Sequence, residues 1–132
     1  MMVPERNDAA GMPFNPLRFS FRYLDTTHPA FDVRDCGAGY YVRLLERLRD
    51  LSALTVAEFR MRRSKAMRVH PIDSADDPVS VRSFGLRGVP ADERAWQFSL
   101  SANEHGRVHG LLRGDTFFVR WLDPDHNLYS GN

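Results

Sequence analysis

One cysteine in 132 residues leaves no intramolecular disulfide to form. That thiol, Cys36, has no sequence neighbour that would lower its pKa, so it reads as a packing residue in a reducing compartment. No apolar run approaches the roughly 20 residues that span a bilayer. The opening MMVPERNDAAGMPF also lacks the charged start and apolar centre of a secretory signal. A cytoplasmic chain with no membrane partner is therefore expected. Also missing are a glycine-rich phosphate loop, a GxSxG elbow, a paired-cysteine motif and any established metal-ligand spacing. Neither a metal nor a cofactor is expected.

What is present describes an ordinary folded domain. Hydrophobic residues make up 42% of the chain and charged residues 27%, close enough to globular averages to exclude wholesale disorder. A chain of 132 residues fits one core. Residues 1–16 carry Pro4, Gly11, Pro13 and Pro16 without period and read as a flexible N-terminal arm; Met12 is an alternative start. Residues 17–132 read as a single α+β domain. Leu17, Phe19, Phe21 and Tyr23 alternate with Arg18, Ser20 and Arg22, the period of a half-buried strand. In YYVRLLERLRDLSAL, Tyr41, Leu44, Leu45, Leu48 and Leu51 recur at helical spacing. Thr55 and Glu58 then form a capping-box pattern that starts a second, short helix, completing a helical hairpin. Residues 70–94, rich in proline and glycine, read as a long loop with one short strand near VSVRSF. From Ala95 onward AWQFSLS, RVHGLL and TFFVRWL alternate with turn residues and predict an antiparallel three-stranded meander. Helices on one face of the sheet follow from this order. Trp96 and Trp121 lie in apolar-rich strands and read as core.

The net charge of +1 conceals a cluster. RMRRSKAMR carries Arg60, Arg62, Arg63, Lys65 and Arg68 with no acid among them, a composition that can neutralise phosphates or complement the end of a helix.

Chemistry-bearing residues concentrate near the end of the chain. SANEHGRVHG holds Glu104, His105, Arg107 and His109, and DPDHNLY, which reads as a loop, holds Asp123, Asp125, His126 and Tyr129. On a regular strand Arg107 and His109 share a face, and antiparallel pairing sets the 107 end of one strand beside the 122 end of the next. Three uses of that meeting point stay open. Histidines with Asp123 or Asp125 would hold a metal, though at no known spacing. A metal-free ribonuclease would use Glu104 or a histidine as base, Arg107 on the phosphate and a second histidine as acid. Turn-forming residues at the polar edge of a sheet would do neither.

AWQFSLSANEHGRVHGLLRGDTFFVRWLDPDHNLY resembles the core of the RelE and YoeB group of bacterial toxins: a tryptophan-led strand, a Glu-His-Arg turn, a hairpin and a closing His-Tyr pair. The strand and helical hairpin before it fit the same plan, a RelE-like β-α-α-β-β-β sheet with its helices on one face. The resemblance implies an endoribonuclease that cuts messenger RNA in the ribosomal A site and is held silent by an antitoxin protein. It further implies that Arg107 contacts the scissile phosphate and that His126 and Tyr129 assist proton transfer and stack on the substrate base. His105 or Glu104 would serve as base, and Arg60, Arg62, Arg63, Lys65, Arg68 and His109 would contact RNA. Gly106 interrupts the family's His-Arg pair, and two residues separate His126 from Tyr129 where the toxins place them together. The family's mid-chain glutamate has no clear counterpart; Glu104 or Glu58 would have to stand in.

Overall fold

The structure is a computed structural model that describes residue 3 and residues 14–61, 70–71 (backbone), 84–90, 93–100 and 106–124. Its elements are β1 (Arg18–Ser20), α1 (Ala38–Ser52), α2 (Val56–Arg60), β2 (His70–Pro71), β3 (Trp96–Ser99), β4 (Arg107–Arg113) and β5 (Thr116–Asp123). The chain is α+β, with a mixed sheet in the order β1-β5-β4-β3-β2. Strands β3, β4 and β5 pair antiparallel, whereas β1 joins the outer edge of β5 in parallel, Phe19 opposite Phe117. The edge strand β2 spans two residues inside the stretch that reads as loop, and Pro71 is tolerated there because an edge position needs no second ladder bond. No helix among the described residues is long and apolar enough to cross a membrane.

Helical periodicity sets how α1 packs. Tyr40, Leu44 and Leu51 are buried and Leu48 packs beside them, at spacings that place all four on one face. That face meets Val108, Leu112, Phe117, Val119 and Leu122 of the sheet. The Thr55 capping box forms: the Glu58 N–H donates to the Thr55 hydroxyl at 3.2 Å, and the Thr55 N–H donates to the Glu58 carboxylate at 3.0 Å. It starts a helix of only five residues, so local bonds matter more than propensity. Phe59 and Val56 are buried there, Phe59 lying edge-on to Phe117 with ring centroids 5.8 Å apart. Thr55→Ala should lower stability by about 1 kcal/mol, read as a lower urea midpoint at unchanged slope. An unchanged midpoint would show that the Val56 N–H bond to the Asn15 carbonyl, 2.9 Å, holds α2 alone.

The first strand is shorter than its alternation predicts. Leu17 and Phe19 face the helices, but the chain turns at residues 21–24, where the Leu24 N–H donates to the Phe21 carbonyl at 3.1 Å. Phe21 is left 47% exposed and Tyr23 is buried on the opposite side of the sheet. The turn carries the chain from Tyr23 to Phe31 across the face away from the helices, and Val33 and Cys36 beyond it pack in the helix-side core. On the far face Tyr23 and Phe31, with Phe84, cover Leu111, Phe118 and Trp121 in a second core. Val3, inside the stretch that reads as an arm, is buried in this second core, its N–H donating to the Arg87 carbonyl at 3.1 Å. Every residue of β4 is consequently buried. The strand read near residues 79–84 lies outside the described residues except for Phe84, which is buried outside any strand.

Candidate functional site

Strand alternation alone would leave Asp123 on the helix side, with Phe117, Val119 and Trp121. A β-bulge prevents this. His109 pairs with Trp121 and Gly110 with Val119, so Arg120 is an extra residue and the alternation of β5 switches there. Trp121 and Asp123 thereby join Arg107 and His109 on the face away from the helices. Gly110, opposite the bulge, lets the strands close up: a Cβ built on it would lie 2.2 Å from the Phe118 carbonyl oxygen.

The bulge residue fastens the cover over this face. Arg120 donates to the Tyr23 carbonyl at 2.8 Å and to the Phe84 carbonyl at 2.6 Å, tying both covering segments to β5. Asp25 receives the Trp121 indole N–H at 3.3 Å and the Thr27 N–H and hydroxyl at 2.9 Å each. Burial raises the Asp25 pKa, but the Thr27 and Trp121 hydrogen bonds and the Arg120 charge outweigh it and bring the carboxyl below its ordinary value. The resulting stability is present above the unfolded pKa of 3.8 and lost as pH falls through the lower folded one.

Under this cover lies a row of polar side chains. Gln97 stands opposite His109, and Ser99 opposite Arg107, which in turn stands opposite Asp123. The His109 and Asp123 side chains are both 0% exposed, and His109 Nε2 lies 3.3 Å from the carboxylate. A carboxylate only accepts, so the imidazole donates from Nε2. Arg107 is 4% exposed, and one of its guanidinium nitrogens donates to the Gly106 carbonyl at 3.0 Å. The aromatic wall of the row is Phe31, stacked on Trp121 at 4.9 Å and 6.3 Å from the His109 ring, with His28 against both Phe31 and Trp121. Charged and polar groups enclosed this fully are costly unless mutually satisfied, which makes the row the strongest candidate site among the described residues.

The sheet also fixes where the sequence clusters enter. The Leu100 N–H donates to the Gly106 carbonyl at 3.1 Å, closing the β3–β4 connection, and Arg47 of α1 donates to the Leu100 carbonyl at 3.0 Å. Burial pushes the Arg47 guanidinium below its usual range, with Asp50 opposing. Glu104 and His105 precede Gly106, while His126 and Tyr129 follow Pro124; all four lie outside the described residues. So do Arg62, Arg63, Lys65 and Arg68. Arg60 ends α2 with its guanidinium over the Trp96 ring, 5.9 Å from the centroid.

Two readings of the sequence meet a different setting. His109 is expected among the RNA contacts; its side chain is enclosed against Asp123 and Phe31, because the segment from Tyr23 to Phe31 covers the face that an antiparallel sheet often leaves wet. Asp123 reads as a loop residue and is in fact the last residue of β5, buried against His109. For Asp123 the one hint was Arg120, a charged residue set among the apolar residues of TFFVRWLD; for His109 the strand pattern held none. Among the described residues no group of three or more His, Cys, Asp and Glu side chains is placed to hold a metal ion. In comparisons with known proteins, no family model, no curated protein and no solved structure matches the chain.

Proposed function

We propose that the chain is a RelE-like toxin, a metal-independent endoribonuclease that cuts messenger RNA on the ribosome, with an antitoxin protein as its partner. The observation that carries this reading is the pairing of Arg107 with Asp123. It sets Gly106, which Glu104 and His105 precede in the sequence, and Pro124, which His126 and Tyr129 follow, at one end of the sheet. The order of strand, two helices and antiparallel strands supports it as well. In this reading Arg107 stabilises the charge that grows on the phosphate, held in place by the polar row. Because Arg107 is 4% exposed, this role requires the Gly106 end of the row to open onto the phosphate; a guanidinium otherwise shielded from water then interacts more strongly with a developing anion. His126 is the general acid, His105 or Glu104 the base, Tyr129 stacks on the base, and Arg60 to Arg68 grip the RNA backbone.

Primer-extension mapping of a defined messenger RNA, with and without translating ribosomes and in the presence of a chelator, tests the proposal. Cuts at the A-site codon that survive chelation are expected. They should fall about 10²-fold with Arg107→Ala. Because Arg107 is buried, His126→Ala is made alongside it and both melts are recorded. Full cleavage by a folded His126→Ala protein would remove the assignment of the acid.

The burial of Arg107 and His109 favours a second reading, in which the row is internal scaffolding and the fold is a non-catalytic module that binds nucleic acid or protein. The basic stretch then does the binding. Affinity would fall steeply with salt, and the slope would shrink by about one unit for each phosphate contact removed. Loss of His126 would leave such a binder unaffected.

A further inference from the structure

The fold uses only part of what Arg47 offers. This residue lies one turn from both Leu44 and Leu51, so the buried face of α1 carries its stem to the sheet while the head stays partly buried. There Nε donates to the Leu100 carbonyl at 3.0 Å. The two terminal amino groups make no hydrogen bond or ion pair among the described residues. Asp50, the acid whose charge reaches Arg47, is itself held by Arg49 at 3.0 Å. Arg47 is therefore a desolvated cation that keeps donors to spare.

Its mooring is shared with the candidate site. The Leu100 N–H donates to the Gly106 carbonyl at 3.1 Å, and that same carbonyl receives the Arg107 guanidinium at 3.0 Å. Leu100 and Gly106 stand one step beyond the pair Ser99 and Arg107. One pair of facing residues thus anchors two guanidiniums, Arg47 from the helix side and Arg107 from the face away from the helices.

From this geometry we infer that Arg47 is a further RNA-contacting residue, whose terminal amino groups hold a backbone phosphate other than the one that Arg107 meets. It rests on the reading of this end of the sheet as the RNA site. A guanidinium moored by Nε presents charge and donors but no acceptor, so the ligand that completes it is an oxyanion. Because the two side chains reach the Leu100–Gly106 pair from opposite faces, each takes its own phosphate. Arg47 binds and positions the strand; the reacting phosphate stays with Arg107.

Fluorescence anisotropy of the full chain with a labelled 2′-O-methyl RNA, which offers no 2′-hydroxyl to attack, tests this contact apart from cleavage. Arg47→Ala should raise the dissociation constant about tenfold, the loss of one charge-assisted contact. The slope of log affinity against log salt should shrink by about 0.7, the share of one phosphate on a single strand. Arg47→Lys keeps the charge and should keep the slope while binding less tightly, since an ammonium replaces the planar fork. All such variants deprive the Leu100 carbonyl of Nε and should melt lower; a residue that only braced the strand would do that and leave the slope unmoved. Arg47→Gln, uncharged but with an amide donor, repeats the measurement if the alanine protein does not fold. A folded Arg47→Ala or Arg47→Gln protein with the wild-type slope overturns the inference, as does a lysine variant that loses the slope equally. Messenger RNA cleavage by the same wild-type preparation keeps the two questions apart. Cleavage with an unmoved slope leaves the nuclease without this contact, and a reduced slope in a chain that cuts nothing keeps the contact and removes the nuclease. A wild-type chain that binds no RNA overturns both.

Discussion

Alanine at position 110 should destabilise the protein by at least about 3 kcal/mol, at or beyond the upper end of ordinary overpacking in a core. The reason is what the added methyl meets. Its nearest neighbour would be the Phe118 carbonyl oxygen at 2.2 Å, followed by the Phe117 ring at 2.6 Å. A carbonyl in the middle of a sheet moves only if the strand moves. Gly106 supplies the control: a Cβ there would lie 2.7 Å from the tip of Leu100, a flexible side chain that can swing aside, so Gly106→Ala should cost markedly less. Urea unfolding followed by tryptophan fluorescence measures both, and also reports on Trp121, which sits on the bulge. Equal losses at the two positions would show that β4 and β5 can separate at Gly110 without penalty. With native stabilities of about 5–15 kcal/mol, the Gly110 variant would stand near the edge of folding.

The bulge is also where the sequence stopped being readable. Regular alternation is enough to find β4 and β5, to place Arg107 and His109 on one face, and to bring the 107 end of one strand beside the 122 end of the next, one residue from the observed partner Asp123. It cannot say which face Asp123 takes, because that depends on the extra residue at Arg120, and a one-residue slip turns over everything beyond it. The helices were legible for a different reason: the spacing of Leu44, Leu48 and Leu51 and the Thr55–Glu58 box are local signals that tertiary contacts did not override. The cover over the second face was not legible. Residues 21–36 have no regular period, and Tyr23 and Phe31 are buried by a turn at residues 21–24 and by bonds from Arg120, which lies some hundred residues along the chain. An apolar loop residue gives no hint of which surface it will cover. For the same reason His109 read as a surface ligand: the sequence shows its strand but not the layer laid over it.

Removing the carboxylate of Asp123 should cost about 3 kcal/mol, the upper end for stripping a buried donor of its acceptor. The penalty falls on what remains. His109 keeps a ring N–H in a position with 0% exposure, facing a cavity where its acceptor stood, and Arg107, opposite Asp123 across the strands, loses the nearest carboxylate in its register. Two variants separate charge from shape. Asp123→Ala removes both and should show the full loss. Asp123→Asn keeps the size and one carbonyl acceptor, so it should fall between the wild type and alanine. His109→Phe made in the Asp123→Leu background supplies the closing test: replacing both partners by apolar groups of similar size should recover much of what the single Asp123→Leu change loses. Additive losses in that double variant would mean that the two side chains do not interact across the 3.3 Å between them. Recovered stability without recovered RNA cleavage would be the more informative outcome. It would separate the two uses of the row, showing that the fold accepts an apolar replacement while the reaction needs the polar pair beside Arg107.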